Sequence, residues 1–233
     1  TVKVPKEAKA GVYTGELTVE ADGLKPVKVA VKLDVQDWTL PDPQNYRTWL
    51  DLIQSPDSLA VEYKVPLWSP RHWELIGRSF HYISDTGSRT LYVPLICRTN
   101  FGNEQSMVRW IDKGDGKYEQ DYTVFEKYLD TAIENMGKPK LVVFLVWDVC
   151  MSKKSLTRSL WGGEQGRDTK EGREELLGKG PRVTSLDPAT GKTGMIFLPR
   201  YEDPASKAIW QPVWGEIRKR MAARGLEQTM MLG

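Results

Sequence analysis

The sequence predicts an α/β protein with a short all-β segment ahead of it, and three observations carry that expectation. From residue 47 onward, short apolar runs alternate with segments whose apolar residues recur at helical spacing. Before residue 37, apolar residues recur instead at every second position, the period of a half-buried strand. The connections are also unequal: short from a helix to the next strand, long from a strand to the next helix.

The opening segment reads as strands. In Val27 to Val35 (VKVAVKLDV) the odd positions Val27, Val29, Val31, Leu33 and Val35 are all apolar. Tyr13 to Glu20 alternates similarly, and Asp22-Gly23 supplies the turn between the two. Two strands alone are marginal in water. Residues 1–36 are therefore expected to be the end of a β-sandwich, whose apolar face further strands or the following domain would cover. DWTLPDPQ, Asp37 to Gln44, carries two prolines and marks a stiff linker over residues 37–46.

After the linker, Arg47 to Ile53 (RTWLDLI) fits a first strand. Ser69-Pro70 opens the first helix as N-cap and first helical residue; Trp73, Ile76, Phe80 and Ile83 follow at helical spacing, and Gly87 marks the exit. Thr90 to Arg98 is a second strand, in which Pro94 removes a ladder donor. Asp121 caps a second helix with Phe125, Tyr128, Leu129, Ala132 and Met136 on one face, stopped by Gly137 and Pro139. KLVVFLVWDVC, Lys140 to Cys150, is a third strand, its unbroken apolar run suiting a parallel strand covered on both faces. The third helix is expected to be broken: Asp203-Pro204 starts one turn and Pro212 a longer piece carrying Val213, Trp214, Ile217 and Met221. Gly225 ends it, and QTMMLG reads as a fourth strand.

The long connections, Gln54 to Trp68, Thr99 to Gln120 and Met151 to Glu202, all leave the C-terminal ends of strands. Loops beyond ~12–15 residues are often functional, and in parallel α/β folds ligands bind at that end. Strand–helix units in series suggest the first half of a (β/α)8 TIM-type barrel over residues 47–233, with an insertion at about 151–202. A closed barrel takes ~250 residues, so the chain is expected to be a piece of a larger protein. The alternative is an open doubly wound sheet complete in itself, although no glycine-rich phosphate loop follows any strand.

Composition narrows the partners. With 33 basic against 31 acidic residues the formal net charge is +2. The densest basic cluster, IRKRMAAR (Ile217 to Arg224), complements the C-terminal dipole of a helix, so no nucleic-acid partner is expected. No run reaches the ~18 apolar residues of a membrane span. Cys97 and Cys150 lie at strand ends, as free thiols or as a single bridge if those strands are neighbours. His72 and His81 fall on opposite sides of one helix and share no metal. ATGKT (Ala189 to Thr193) has Leu186 where a phosphate loop needs glycine, and a hairpin turn explains it. No cofactor is expected.

These residues resemble a known group. VKVPKEAKAGVYTGELTVEADG, followed by VAVKLDVQDWTLPDP, looks like the end of the N-terminal β-sandwich of multidomain bacterial glycoside hydrolases, where a G-x-Y-x-G strand and a W-x-L-P junction lead into a catalytic barrel. VTSLDPATGKTGMIFLP and WQPVWGEIRKRMAARGL are similar to the same group, the β-N-acetylgalactosaminidase-like enzymes. The resemblance implies hydrolysis of a glycosidic bond in a glycan or oligosaccharide, in some members with the substrate's acetamido group as nucleophile. It also implies a secreted, periplasmic or cell-surface location. In the resembling enzymes the acidic pair lies at the end of the fourth barrel strand, about where Leu232-Gly233 stands, so no catalytic residue carries over and the pair is expected downstream. Two other readings stay open: a non-catalytic glycan-binding or surface-scaffold protein on the same barrel, and a complete small α/β enzyme.

Candidate binding residues follow from position. Asp148 shares strand parity with Val142, Phe144 and Val146, while Trp147 has the other. If the first set faces the lumen, Asp148 stands at the barrel mouth and accepts sugar hydroxyls; otherwise it caps a helix or pairs with a lysine. Trp147 offers a pyranose an aromatic face or packs under a helix. Arg98 and Asn100 close the second strand with donors for hydroxyls or carboxylates, or scaffold the loop. Asp51 is expected to pair structurally, with Arg98 or Arg47. Trp68, Trp110 and Trp161 sit in long connections, where each either meets a glycan or pins its loop; Trp73, Trp210 and Trp214 are expected core.

Overall fold

The computed structural model describes residues 2–48, 50–99, 101–147 and 179–233. The chain divides into two compact units, Thr1–Asn45 and Tyr46–Gly233.

The first unit is an antiparallel hairpin, β1 (Gly11–Val19) and β2 (Val27–Val35), in register from Gly11 opposite Val35 to Val19 opposite Val27. Gly23 takes the positive φ of 79° that the turn requires. Opposed residues share a face, so the alternating Val27, Val29 and Leu33 line up with Val19, Leu17 and Tyr13. Val27, Val29, Val19, Leu17 and Tyr13 are exposed. A single turn of 3-10 helix, Pro43–Asn45, closes the unit.

The second unit is built on a parallel sheet. Helices α1 (Pro56–Glu62) and α2 (Pro70–Asp85) start alike: the Ser55 and Ser69 hydroxyls accept the N–H of Ser58 and His72, each at 3.3 Å, and a proline follows each cap. Strand β3 (Thr90–Pro94) comes next, then the hairpin β4 (Arg109–Asp112) and β5 (Tyr118–Asp121). Helix α3 (Thr123–Met136) leads to β6 (Leu141–Leu145). A second hairpin, β7 (Arg182–Leu186) and β8 (Thr193–Phe197), precedes α4 (Pro204–Ala223) and β9 (Met230–Leu232). β3, β6 and β9 lie side by side, all parallel.

The core forms where the helices cover this sheet. Leu91, Val93, Val142 and Phe144 point into it and are at most 1% exposed. Phe144 sits between α3 and α4, its ring 6.3 Å from Phe125 and 5.6 Å from Trp214, while Phe80 of α2 meets Tyr128 of α3 at 5.3 Å. Trp73, Trp210 and Trp214 all belong to this packing, the last only partly buried.

Several expectations are corrected. Around residues 47–53 no strand forms among the described residues; instead Asp51 reaches β3 through a side-chain contact, accepting the Tyr92 hydroxyl at 2.7 Å. The second strand is shorter than expected and ends at Pro94. The second helix is capped at Tyr122, with Asp121 accepting the Thr123 N–H at 3.1 Å from just outside. The third helix is unbroken through Pro212. Pro212 and Ala208, whose carbonyl loses its helical partner, both lie on the exposed side of the helix.

The long connections are not structureless. The one entering α2 contains α1, and those leaving β3 and β6 carry the two hairpins, which join as a second sheet in the order β5-β4-β7-β8. Short, reciprocal bonds fix the join: the Ser106 N–H donates to Thr184 Oγ1 at 2.8 Å, the Thr184 N–H donates to Ser106 Oγ at 2.9 Å, and the Cys97 N–H donates to the Arg182 carbonyl at 2.7 Å. Asp57 of α1 ties in the other connection by accepting the Glu104 N–H at 2.8 Å. Burial pushes the Asp57 carboxyl pKa up, only partly offset by that N–H.

Three stability outcomes follow. Pro212→Ala restores a backbone bond on an exposed face and stabilises the protein by up to about 3 kcal/mol in chemical denaturation. Thr184→Val leaves the buried Ser106 N–H without its acceptor and costs about 1–3 kcal/mol in the same measurement. The folded-state pKa of Asp57 lies above its ordinary 3.8, so its favourable contribution is present at low pH and lost as pH rises from there through the raised value. Asp57→Asn keeps an acceptor for Glu104 without ionising, so its stability relative to wild type improves across that same rise.

Candidate functional site

The parallel sheet ends in a common rim, because hydrogen bonds carry its strands beyond their regular pairing. The Leu95 N–H donates to the Leu145 carbonyl at 2.9 Å, the Gly233 N–H to the Phe144 carbonyl at 3.0 Å and the Val146 N–H to the Gly233 carbonyl at 3.2 Å. Arg98 and Trp147, which follow the neighbouring strands β3 and β6, therefore emerge at the same end.

Strand parity decides which side chains face away from the helices. Val142 and Phe144 point into the helix-covered core, and Val146 packs against it too. Val142, Phe144 and Val146, the set whose facing a lumen would put Asp148 at a barrel mouth, thus face the helices. Asp148 itself lies outside the described residues, as do Asn100, Trp161 and Cys150. The opposite parity carries Tyr92, Val143 and Met231, which stand abreast across β3, β6 and β9.

Trp147 is 54% exposed and borders a cavity of about 420 Å³. Val146, Tyr201, Lys207, Trp210 and Trp214 complete most of its wall. The Tyr201 hydroxyl donates to the Val146 carbonyl and holds the end of β6 against the start of α4. Trp210 and Trp214 thus have a second role, as walls of this cavity as well as core, which their helical spacing does not reveal.

Arg98 takes a positive φ of 54°, and its guanidinium lies 3.6 Å from the Glu104 carboxylate. Its backbone is fixed by a turn organised on Asn103, a residue the sequence reading passed over. Asn103 Oδ1 accepts from the Thr99 N–H at 3.0 Å and the Thr99 hydroxyl at 2.7 Å, while its Nδ2 donates to the Ile96 carbonyl at 2.8 Å and the Gln105 carbonyl at 2.9 Å. The signal was present: TNFGN is dense in turn formers, and Gly102 has φ 69°.

The loop tryptophans divide. Trp110 is on β4, not in a loop, and is wholly buried, its ring edge-on to Tyr118 at 5.7 Å and to Trp210 at 5.5 Å. Trp68 pins its connection: its indole N–H donates to Gln105 Oε1 at 2.9 Å and its ring lies 5.3 Å from Trp73. His72 is fully buried; its Nδ1 accepts the Trp68 N–H at 2.9 Å, which leaves Nε2 to donate to the Pro56 carbonyl at 2.8 Å. It is a structural histidine. Cys97 is a free, buried thiol 3.4 Å from Thr184 Oγ1, its pKa raised by burial.

Across the second sheet, Arg109 pairs with Asp121. Burial pushes the Asp121 pKa up, but the Thr123 hydroxyl and N–H together with Arg109 outweigh it, and the net direction is down. Among the described residues no cluster of three or more histidine, cysteine or carboxylate side chains could hold a metal ion.

Residues 53–232 match the model of the glycoside hydrolase 123 catalytic domain. No curated protein sequence matches the chain. Among solved structures, the chain is similar to a family 123 glycoside hydrolase from Clostridium perfringens, solved to detail glycolipid glycan hydrolysis, with a TM-score of 0.69 and 18% identity. That similarity covers 99% of this chain and 37% of the other, so the chain spans little more than a third of that enzyme's length. At that identity the likeness speaks for the fold, and the match over residues 53–232 for the family: the chain belongs to glycoside hydrolase family 123.

Proposed function

We propose that the chain is part of an enzyme that hydrolyses a glycosidic bond in a glycan, with the groove along the C-terminal ends of β3, β6 and β9. The match to a family 123 catalytic domain over residues 53–232 carries this reading. The sheet geometry supports it: parallel strands deliver Arg98 and Trp147 to one rim, and the connections leaving that rim are welded into a second sheet. In this reading residues 47–233 are the opening half of a (β/α)8 barrel and the β1–β2 hairpin is the end of a β-sandwich. Acidic residues outside this chain supply the general acid and the carboxylate that polarises the substrate's acetamido group.

Trp147 has the position and exposure to receive the apolar face of a sugar ring, and Lys207 and Ser206 add polar groups at the same cavity. Arg98 stands where its charged head meets a hydroxyl or carboxylate, since its Glu104 partner leaves it 47% exposed at the side chain.

The full-length protein is expected to release nitrophenol from p-nitrophenyl β-N-acetylgalactosaminide. Trp147→Ala is expected to raise KM about tenfold with little change in kcat, the signature of binding shared by ground and transition states. Retention on N-acetylgalactosamine resin with no turnover of any aryl glycoside would favour the non-catalytic glycan-binding reading.

A further inference from the structure

The sheet face turned away from the helices carries a carboxylate in an unusual setting. Tyr92 is the residue of β3 on that face, abreast of Val143 and Met231 and between the helix-facing Leu91 and Val93. Its ring is edge-on to Phe101 at 5.2 Å, and Phe101 belongs to the connection that leaves the rim. The hydroxyl at the end of that ring donates to Asp51 Oδ2 at 2.7 Å. Asp51 is exposed, and among the described residues its other oxygen has no partner.

This arrangement differs from a structural ion pair. No arginine or lysine among the described residues neutralises Asp51, so the pairing with Arg98 or Arg47 expected from sequence is not made; Arg98 faces Glu104 instead. A neutral phenol holds the carboxylate in place without cancelling its charge or occupying both its oxygens. The Tyr92 pKa is pushed up to about 12 by burial and then by the hydrogen bond and charge of Asp51, so the phenol remains a donor throughout the working range. The Phe101 contact restricts the ring, and the ring fixes the carboxylate. Such positioning suits a ligand rich in hydroxyl donors, because a carboxylate accepts but does not donate.

We propose that Asp51, held by Tyr92, is a substrate-binding residue that accepts hydrogen bonds from sugar hydroxyls on the face opposite the helices. This rests on the glycosidase reading, and the experiment separates the two. Steady-state kinetics of the full-length protein on p-nitrophenyl β-N-acetylgalactosaminide would be compared for wild type, Asp51→Asn and Tyr92→Phe, with melting temperatures alongside. Loss of a charge-assisted hydrogen bond is expected to raise KM about tenfold or more in Asp51→Asn, with kcat changed far less. Tyr92→Phe keeps the ring on Phe101, removes only the hydroxyl, and is expected to raise KM by a smaller factor in the same direction. It also carries the test if Asp51→Asn does not fold. An active wild type whose KM is unchanged in whichever of these variants folds overturns this assignment and leaves the glycosidase reading standing. A wild type inactive on this substrate and on other aryl glycosides overturns the glycosidase reading, and the assignment with it.

Discussion

The packing of Phe144 between α3 and α4 orients everything else in the second unit. With Phe125 on one side and Trp214 on the other, its ring commits one face of β6 to the helices. Strand alternation then commits Val143 and Leu145 to the other face, and the parallel register extends the choice to Tyr92 and Met231. A one-residue slip would exchange the two sets and bury the wrong one. The residues that reach the rim, and the direction in which they point, are consequences of that buried ring.

A second constraint acts above the sheet. Long connections usually cost order, because each residue fixed loses backbone entropy. Here the connections leaving β3 and β6 offset that loss by pairing with each other, through β4 and β7 and through the Ser106–Thr184 exchange. Two segments that are distant in sequence thus form one layer, and Asn103 and Asp57 bring in the ends that the sheet does not reach.

Sequence patterning exposed the parallel core well. The apolar run of Leu141 to Leu145, the caps at Ser69-Pro70 and the Phe125–Met136 stripe are strong local signals, and the tertiary structure agrees with each. Its failures have physical causes. The Ser55-Pro56 start repeats the cap of α2, but α1 is too short for periodicity to announce it. β4 and β5 are four residues each, and a long-range partner, β7, secures them. In sequence Trp110 reads as a loop tryptophan for that reason. Parity could be read for β6, but not its sense, since nothing in an all-apolar strand says which face the helices will take. In sequence Asp51 reads as a carboxylate in need of a partner, and that partner is a phenol on a strand far along the chain.

The most direct test of the account is a crystal structure of the full-length protein with N-acetylgalactosamine bound. A sugar bound over the C-terminal ends of β3, β6 and β9, within reach of Trp147, is the predicted result. A sugar bound at the N-terminal ends of those strands would contradict it.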